Sequence, residues 1–167
     1  MYSVDIAAIP IVPFKDRYTE VRIYDVHDGD SLKCIFMIDN TPVKISIRVN
    51  GVDAPEVSRA SAMEKRAGLI VKRIVQDHLQ EKITYVIFRE WDKYGGRIIA
   101  DVYLSFVTLT EFLLNNGLAH PYDGKHKKIP WSEAELKYII DNYEYSSTKN
   151  RAFLFNDDNI FENENVF

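Results

Sequence analysis

The sequence predicts an α+β fold in which a five-stranded β-barrel carries about three packed helices. Two observations indicate this class. Three strand patterns follow one another closely, and then come a helical pattern, two further strand patterns and two more helices. The chain also has 167 residues, of which 46% are hydrophobic and 28% charged, a size and composition that suit one globular domain with its own core.

The first three strands are indicated by alternating apolar residues. They are predicted at Val21–His27, Ser31–Ile38 and Val43–Val49. In the third strand, four aliphatic residues face one way and Arg48 faces the other with two polar neighbours, so Arg48 is expected to point away from the core. In the first strand, strict alternation groups Val21, Ile23 and Asp25 on one face.

Three helices are indicated by capping boxes, in which Ser or Thr precedes Glu by three residues. The pairs are Ser61 with Glu64, Thr108 with Glu111, and Ser132 with Glu135, and the helices are expected to reach about Leu79, Gly117 and Ser147. Two more strands are predicted at Lys82–Arg89 and Arg97–Leu104. Three hairpin-linked strands, a helix and two further strands is the element order of an OB-type barrel.

One domain is expected, with a segment at each end. Residues 1–20 contain two prolines and are interpreted as a leader, 21–150 as the barrel domain, and 151–167 as an acidic tail. The net charge is −4, and residues 156–167 carry four acidic residues and no basic one, so the rest of the chain is neutral. Overall charge therefore does not predict nucleic acid as a partner, although it leaves room for a local basic patch.

The setting is expected to be intracellular. No apolar run of about 18 residues is present, and the N-terminus has no basic and apolar regions typical of a secretory signal. Cys34 is the only cysteine, which excludes an intramolecular disulfide. These features favour an intracellular protein without membrane contact, and a monomer is the expected state.

The first candidate functional segment is Asp28-Gly29-Asp30. Two carboxylates around a flexible glycine suit a hard cation such as Ca²⁺, which takes several oxygen ligands. The same tripeptide is common in hairpin turns, so the segment alone leaves both interpretations open. It is not an EF-hand loop, because Phe36 stands where such a loop starting at Asp25 requires Glu.

Two further segments add cations and acids. Asp53 and Glu56 lie in one loop after Arg48, whose guanidinium presents a planar set of donors suited to a phosphate. The alternative is a loop whose acids favour the start of the next helix through its dipole. The third segment, Asp92–Arg97, contains a Gly-Gly turn followed by Arg97, and an ordinary solvated turn is the alternative there.

The three segments together resemble the staphylococcal nuclease (thermonuclease) family. D-G-D at 28–30, R-x-x-x-x-D-x-P-E at 48–56 and D-K-Y-G-G-R at 92–97 match in order and at similar spacings, over about residues 21–131. The resemblance implies a calcium-dependent phosphodiesterase that cuts both DNA and RNA. In that family water attacks phosphorus and the 5′-oxygen leaves, which gives 3′-phosphate products.

The resemblance also implies roles for the acidic residues. Asp30 and Asp53 match the aspartates that bind calcium, and the backbone carbonyl of Ala54 matches a further ligand. Asp28 matches an aspartate that supports the site. Glu56 matches the glutamate that activates the attacking water.

On the substrate side, Arg48 and Arg97 match the two arginines that bind the scissile phosphate. Lys93 and Tyr94 match positions that contact the other phosphate of the nucleotide. Tyr122 matches a tyrosine that stacks on the base.

Three departures from the family pattern matter. The acidic tail and a pI near 5.6 differ from the strongly basic secreted members and bear on non-specific affinity for DNA, and the other two bear on the site itself. The family often has Thr at the position of Ala54, so a hydroxyl contact to ligated water is lost. A second glycine, Gly96, lengthens the turn before Arg97, which could displace that arginine unless the hairpin absorbs the extra residue as a bulge.

Two alternatives to an enzyme stay open. One is the same barrel without catalysis, used to bind nucleic acid or a protein partner. The other is a generic OB-type single-strand binder, which would need stacking aromatics and a basic groove. The basic run 125–128 (KHKK) is consistent with steering of a nucleic-acid backbone, but a solvated surface loop is the preferred interpretation.

Overall fold

The computed structural model describes residues 14–93, 95–126 and 128–144. The strands are β1 (Tyr18–Val26), β2 (Ser31–Ile38), β3 (Thr41–Val49), β4 (Val52–Asp53), β5 (Ile83–Trp91), β6 (Arg97–Leu104), β7 (Val107–Thr108) and β8 (His120–Pro121). The helices are α1 (Ala62–Leu79), α2 (Leu109–Asn115) and α3 (Glu133–Tyr143). No helix in this part of the chain is long and apolar enough to cross a bilayer.

The five long strands close into a barrel. Antiparallel pairing gives the order β3-β2-β1-β5-β6, and parallel pairing of β3 with β6 joins the two edges. Closure leaves neither β3 nor β6 with an unpaired edge at this junction, and it places Ser46 beside Arg97 and Arg48 beside Ile99. The predicted α+β fold with an OB-type barrel and three helices is confirmed.

The alternation predicted for β3 holds. Ile47 and Val49 are buried in the barrel, whereas Arg48 lies on the outer face between them. On β6, the neighbours Ile98 and Ala100 are also buried. Arg48 and the residues beside it are therefore available to a site outside the barrel.

The alternation predicted for β1 is wrong at its end. The pairing of β1 with β2 shifts between Ile23 and Asp25, so an extra residue is accommodated and the following side chains change face. Val26 is buried, and Asp25 lies at the surface, where it accepts a hydrogen bond from Lys33 at 2.8 Å. The bulge removes a carboxylate from the core and directs the chain into the 27–30 turn.

Several boundaries differ from the predicted ones. β1 begins at Tyr18, within the segment interpreted as a leader, because residues 18–22 pair with β5. β3 begins at Thr41 and β5 extends to Trp91, each two residues beyond the prediction. Residues 1–13 and the expected tail, 151–167, lie outside the described residues, as does the predicted end of the last helix.

All three helix starts are capped by the predicted side chains. Thr108 with Glu111 and Ser132 with Glu135 form complete boxes. At α1 the Ser61 hydroxyl accepts from the Glu64 N–H at 3.1 Å, but the Glu64 carboxylate does not return the bond. That carboxylate binds the loop before the helix instead.

The capping box of α3 predicts a pH-dependent contribution to stability. The Ser132 hydroxyl and backbone N–H donate to the Glu135 carboxylate at 2.6 and 2.8 Å and lower its pKa to about 2, from an ordinary value of 4.5. A carboxyl with a lowered folded-state pKa stabilises the fold above the ordinary value, and this contribution is lost as pH falls toward the folded value. We expect Glu135→Gln to lower the urea midpoint at about pH 7, with the difference from the parent narrowing below pH 4.5.

Glu133→Gln, in the same first turn, provides the control and should change the midpoint little at any pH. A Glu135→Gln effect that stays constant between about pH 7 and pH 3 would contradict the proposed origin of the stabilisation.

Candidate active site

The candidate site lies where three connecting segments meet on the outside of the barrel. They are the turn between β1 and β2, the chain from β3 to α1, and the loop after β8. Asp30 connects the β1–β2 turn to the chain from β3 to α1. Its backbone carbonyl accepts a hydrogen bond from the Val49 N–H at 2.8 Å, and its carboxylate accepts one from the Ala54 N–H at 3.1 Å. Pairing of β4 with β8 brings in the third segment, with Asp53 opposite His120.

Asp30 is a buried carboxylate, only 4% exposed. Burial raises its pKa to about 7 against the opposing effect of Arg48, because a carboxylate removed from water loses hydration. The Ser31 hydroxyl donates to it at 3.0 Å and Arg48 at 3.1 Å. Asp28 shapes the turn from outside, since its carboxylate accepts from the Asp30 N–H at 3.2 Å.

Arg48 is held between both predicted calcium-binding aspartates. One guanidinium nitrogen donates to Asp30, and the other donates to Asp53 at 3.3 Å and to the Val52 carbonyl at 3.2 Å. Burial alone would lower the pKa of Arg48, but the two carboxylates raise it above its ordinary value. The arginine is therefore a fixed positive charge with a set orientation.

Arg97 reaches the same region from β6. Its guanidinium donates to the Asp92 carboxylate at 2.9 and 2.5 Å and to the Ser31 hydroxyl at 3.2 Å. The turn that contains the extra Gly96 is closed by a hydrogen bond from the Asp92 N–H to the Arg97 carbonyl at 2.9 Å. The β5–β6 pairing also shifts near residue 89, which is the bulge that a longer hairpin requires.

Asp92 is a positioning residue that the sequence did not single out. It is buried, and its carboxylate accepts a hydrogen bond from the guanidinium of Arg97. Its place at the start of the D-K-Y-G-G-R segment, five residues before the arginine, was the available signal.

Lys128 is the unexpected member of the site. Its ammonium lies 2.5 Å from the Asp53 carboxylate and 2.9 Å from the Glu56 carboxylate. Burial alone would lower the pKa of Lys128, but hydrogen bonds to these two acids raise it above its ordinary range. The preferred interpretation of the 125–128 run as a solvated loop is therefore wrong for Lys128, whose position depends on the β4–β8 pairing and has no local sequence signal.

Glu56 is half-exposed, at 45% of its side chain, and its backbone is fixed by α1. The Glu56 N–H donates to the Glu64 carboxylate at 3.3 Å, which explains why Glu64 leaves its capping box incomplete. The loop also lies directly on Gly68: a Cβ there would be 2.6 Å from the Pro55 carbonyl oxygen and 2.8 Å from that of Glu56. Only glycine allows this close approach, and the helical pattern alone had not marked the position.

Of the other residues predicted to contact substrate, Tyr122 lies beside Arg48 and Lys93 contacts Tyr122. The Tyr122 ring is 5.4 Å from the Arg48 guanidinium, and the Lys93 ammonium donates to the Tyr122 hydroxyl at 3.4 Å and to the Gly124 carbonyl at 2.8 Å. A pocket of about 430 Å³ opens here, with Tyr122 and Ile129 in its wall. Tyr94 lies outside the described residues.

The donor atoms near Asp53 suit a hard cation. The potential metal ligands are carboxylate and carbonyl oxygens, and the positively charged Lys128 ammonium already contacts the carboxylates of Asp53 and Glu56. Within residues 14–93, 95–126 and 128–144, no three acidic, histidine or cysteine side chains converge as a metal centre. A calcium ion here would take the Asp30 and Asp53 carboxylates and the Ala54 carbonyl from the protein, and its other ligands from water or substrate.

The fold and the site together define an OB-type barrel with two oriented arginines beside a group of carboxylates. A family model described as staphylococcal nuclease homologue matches residues 46–151, which is more than half of the chain. The chain belongs to this family. The match includes Arg48, Asp53, Glu56 and Arg97, and it begins after the 28–30 turn. A comparison with curated proteins found no match.

The close contact at Gly68 predicts an unusual response to alanine. In an ordinary helix this change would stabilise by about 1 kcal/mol, but here the added methyl must move the 55–56 backbone, which costs about 1–3 kcal/mol. We expect Gly68→Ala to lower the free energy of unfolding, measured in urea. Lys65→Ala, at an exposed position of the same helix, should change it by less than about 0.5 kcal/mol. Stabilisation by Gly68→Ala would show that the loop does not rest on the helix.

Proposed function

We propose that the protein is a calcium-dependent nuclease that hydrolyses phosphodiester bonds in both DNA and RNA. One observation carries the proposal: Arg48 and Arg97, from two strands joined only by barrel closure, lie with Asp30, Asp53 and Glu56 around one site on the outside of the barrel. Membership of the staphylococcal nuclease homologue family supports it. A structural role alone does not account for two oriented arginines beside these acids.

The two arginines bind the non-bridging oxygens of the scissile phosphate. Both guanidinium groups are oriented by carboxylates before substrate arrives, Arg48 by Asp30 and Asp53, and Arg97 by Asp92. Donors that are already oriented favour the transition state, in which charge builds on these oxygens, and each is worth roughly 10²–10³ in rate. Their anchoring acids also prevent them from collapsing onto Glu56.

The carboxylates of Asp30 and Asp53 and the carbonyl of Ala54 hold calcium in this proposal. Bound Ca²⁺ supplies a Lewis acid that neutralises charge on a phosphoryl oxygen. We expect Lys128 to withdraw from Asp53 when the site takes the ion, because the ammonium and the metal ion would repel each other at one carboxylate. Since Lys128 is 44% exposed and lies in a loop, this withdrawal does not disturb the barrel.

Glu56 orients or deprotonates the attacking water. Its carboxylate is half-exposed and, apart from Asp53, is the acid nearest the Lys128 ammonium, so departure of the lysine frees it to accept a hydrogen bond from water. A positioned carboxylate of this kind contributes about 10²–10⁴ in rate. Attack on phosphorus with loss of the 5′-oxygen gives 3′-phosphate ends.

A cleavage assay tests the reaction. Single-stranded DNA, duplex DNA and RNA are incubated with Ca²⁺ or with a chelator, and the products are resolved on gels. We expect cleavage only with calcium, and a loss of at least about 10² in rate in Glu56→Gln because the water is no longer activated. Glu133→Gln, an exposed acid on α3, is the control and should cleave normally. A folded parent chain that cuts none of the three substrates at millimolar calcium would overturn the proposal.

Lys128 allows a test that does not depend on catalysis. We expect Lys128→Met to raise the apparent calcium affinity severalfold, because a cation that competes for Asp53 is removed. Calcium binding is followed by titration calorimetry and by the calcium-induced shift in Tm. Lys125→Met, in the same loop, should leave the affinity unchanged. Equal or weaker calcium binding in Lys128→Met would contradict competition.

A second candidate is a nucleic-acid-binding barrel without catalysis. Lys128 favours it, since an ammonium that already neutralises Asp53 and Glu56 makes a metal ion unnecessary for charge balance. This candidate predicts that DNA or RNA binds equally well with calcium and with chelator and is not cut. The assay above separates the two functions.

A further inference from the structure

A second groove, lined in part by Arg97, lies on the outer face of the barrel and shares no lining residue with the Tyr122 pocket. Strand register builds it: Lys33 on β2 pairs with Ser46 on β3, and Ser46 pairs with Arg97 on β6. The three side chains therefore form one row across three neighbouring strands, about 5 Å apart from strand to strand. The groove has a volume of about 240 Å³.

The lining of this groove is cationic and hydroxyl-rich. Its polar residues are His27, Ser31, Lys33, Ser46 and Arg97, and two aliphatic residues complete the wall. None of the described residues that line it is acidic, although each of its cations is paired with an acid outside the lining, Lys33 with Asp25 and Arg97 with Asp92. Positive charge with hydroxyl donors and no carboxylate is complementary to phosphate.

The groove is continuous with the active site. Arg97 lines the groove and donates to the Ser31 hydroxyl at 3.2 Å, and Ser31 in turn donates to the Asp30 carboxylate. A strand whose scissile phosphate lies on Arg97 would therefore bring a neighbouring phosphate within reach of the groove.

We propose that this groove is a binding subsite for a backbone phosphate next to the scissile one, so that the protein recognises a polynucleotide on both sides of the cleaved bond. The proposal rests on the nuclease function proposed above. Lys33 supplies the charge, and Ser46 supplies a hydroxyl donor between Lys33 and Arg97. Mononucleotides cannot fill both sides, so affinity should grow with chain length.

The Lys33 ammonium is already paired with Asp25 at 2.8 Å, and both side chains are partly exposed. Asp25 thus competes with phosphate for the lysine. Removing the lysine and removing its acid should therefore change phosphate affinity in opposite directions, a pattern that misfolding does not produce.

The experiment measures binding without cleavage. Fluorescence anisotropy follows a labelled single-stranded 8-mer in chelator, at several salt concentrations, with the intact chain and its variants. Lys33→Ala should weaken binding severalfold and reduce the salt slope by about 0.7, the value for one lost phosphate contact on a single strand. Asp25→Asn should strengthen binding. A nucleoside 3′,5′-bisphosphate, used as an unlabelled competitor, should show the same affinity in all variants.

The chain offers a matched control pair on α3. Lys137 and Asp141 form a similar surface ion pair at 2.7 Å, away from the groove, so Lys137→Ala and Asp141→Asn report the effect of net charge alone. The proposal is overturned if Lys33→Ala behaves as Lys137→Ala does, or if the parent chain does not bind the 8-mer. If the parent chain cleaves nucleic acid in the gel assay but Lys33→Ala binds the 8-mer as the parent does, the subsite is rejected and the nuclease function stands. If the variants show the expected binding pattern but the parent chain cleaves nothing, the nuclease function is rejected and the groove remains a phosphate-binding site.

Discussion

The buried carboxylate of Asp30 is the interaction on which the rest of the site depends. It accepts from the Ala54 N–H, from Arg48 and from Ser31, so it joins the 27–30 turn, the loop before α1 and the outer face of β3. A carboxylate with so little exposure is costly unless donors surround it, and the raised pKa records this cost. One of the three contacts that make the burial tolerable also helps to fix the orientation of Arg48.

Much of the fold follows from local patterns, and the exceptions have physical causes. Alternation in β3 predicted that Arg48 would point outward, because period-two patterning determines the face of a strand. It was wrong for Asp25, because a bulge changes the phase and single-strand patterns do not reveal register shifts. The capping boxes identified all three helix starts, yet at α1 the Glu64 carboxylate serves the Glu56 loop, a contact that appears only once helix and loop are packed.

The candidate site was predictable to the extent that its residues lie in short segments. The three segments drew attention to both arginines and to the acids around them, and the structure brings these residues together. Lys128 and Gly68 were missed for one reason: each acts on the Asp53–Glu56 loop from a distant part of the chain. Lys128 is recognised by an ion pair and Gly68 by a close backbone contact. Both contacts are tertiary, so residue spacing along the sequence does not predict them. Lys128 contacts the acids of this loop through charge, and Gly68 contacts its backbone.

The parallel pairing of β3 with β6 has a consequence for folding. Arg48 and Arg97 are 49 positions apart in the sequence, and the junction that completes the barrel places them on adjacent strands, two residues out of register. Contacts between distant segments carry a high loop-closure entropy and form slowly. The 28–30 turn and the 53–56 loop each lie within a short stretch of sequence, whereas the two arginines come together only when β3 pairs with β6. The proposed phosphate site therefore depends on completion of the barrel.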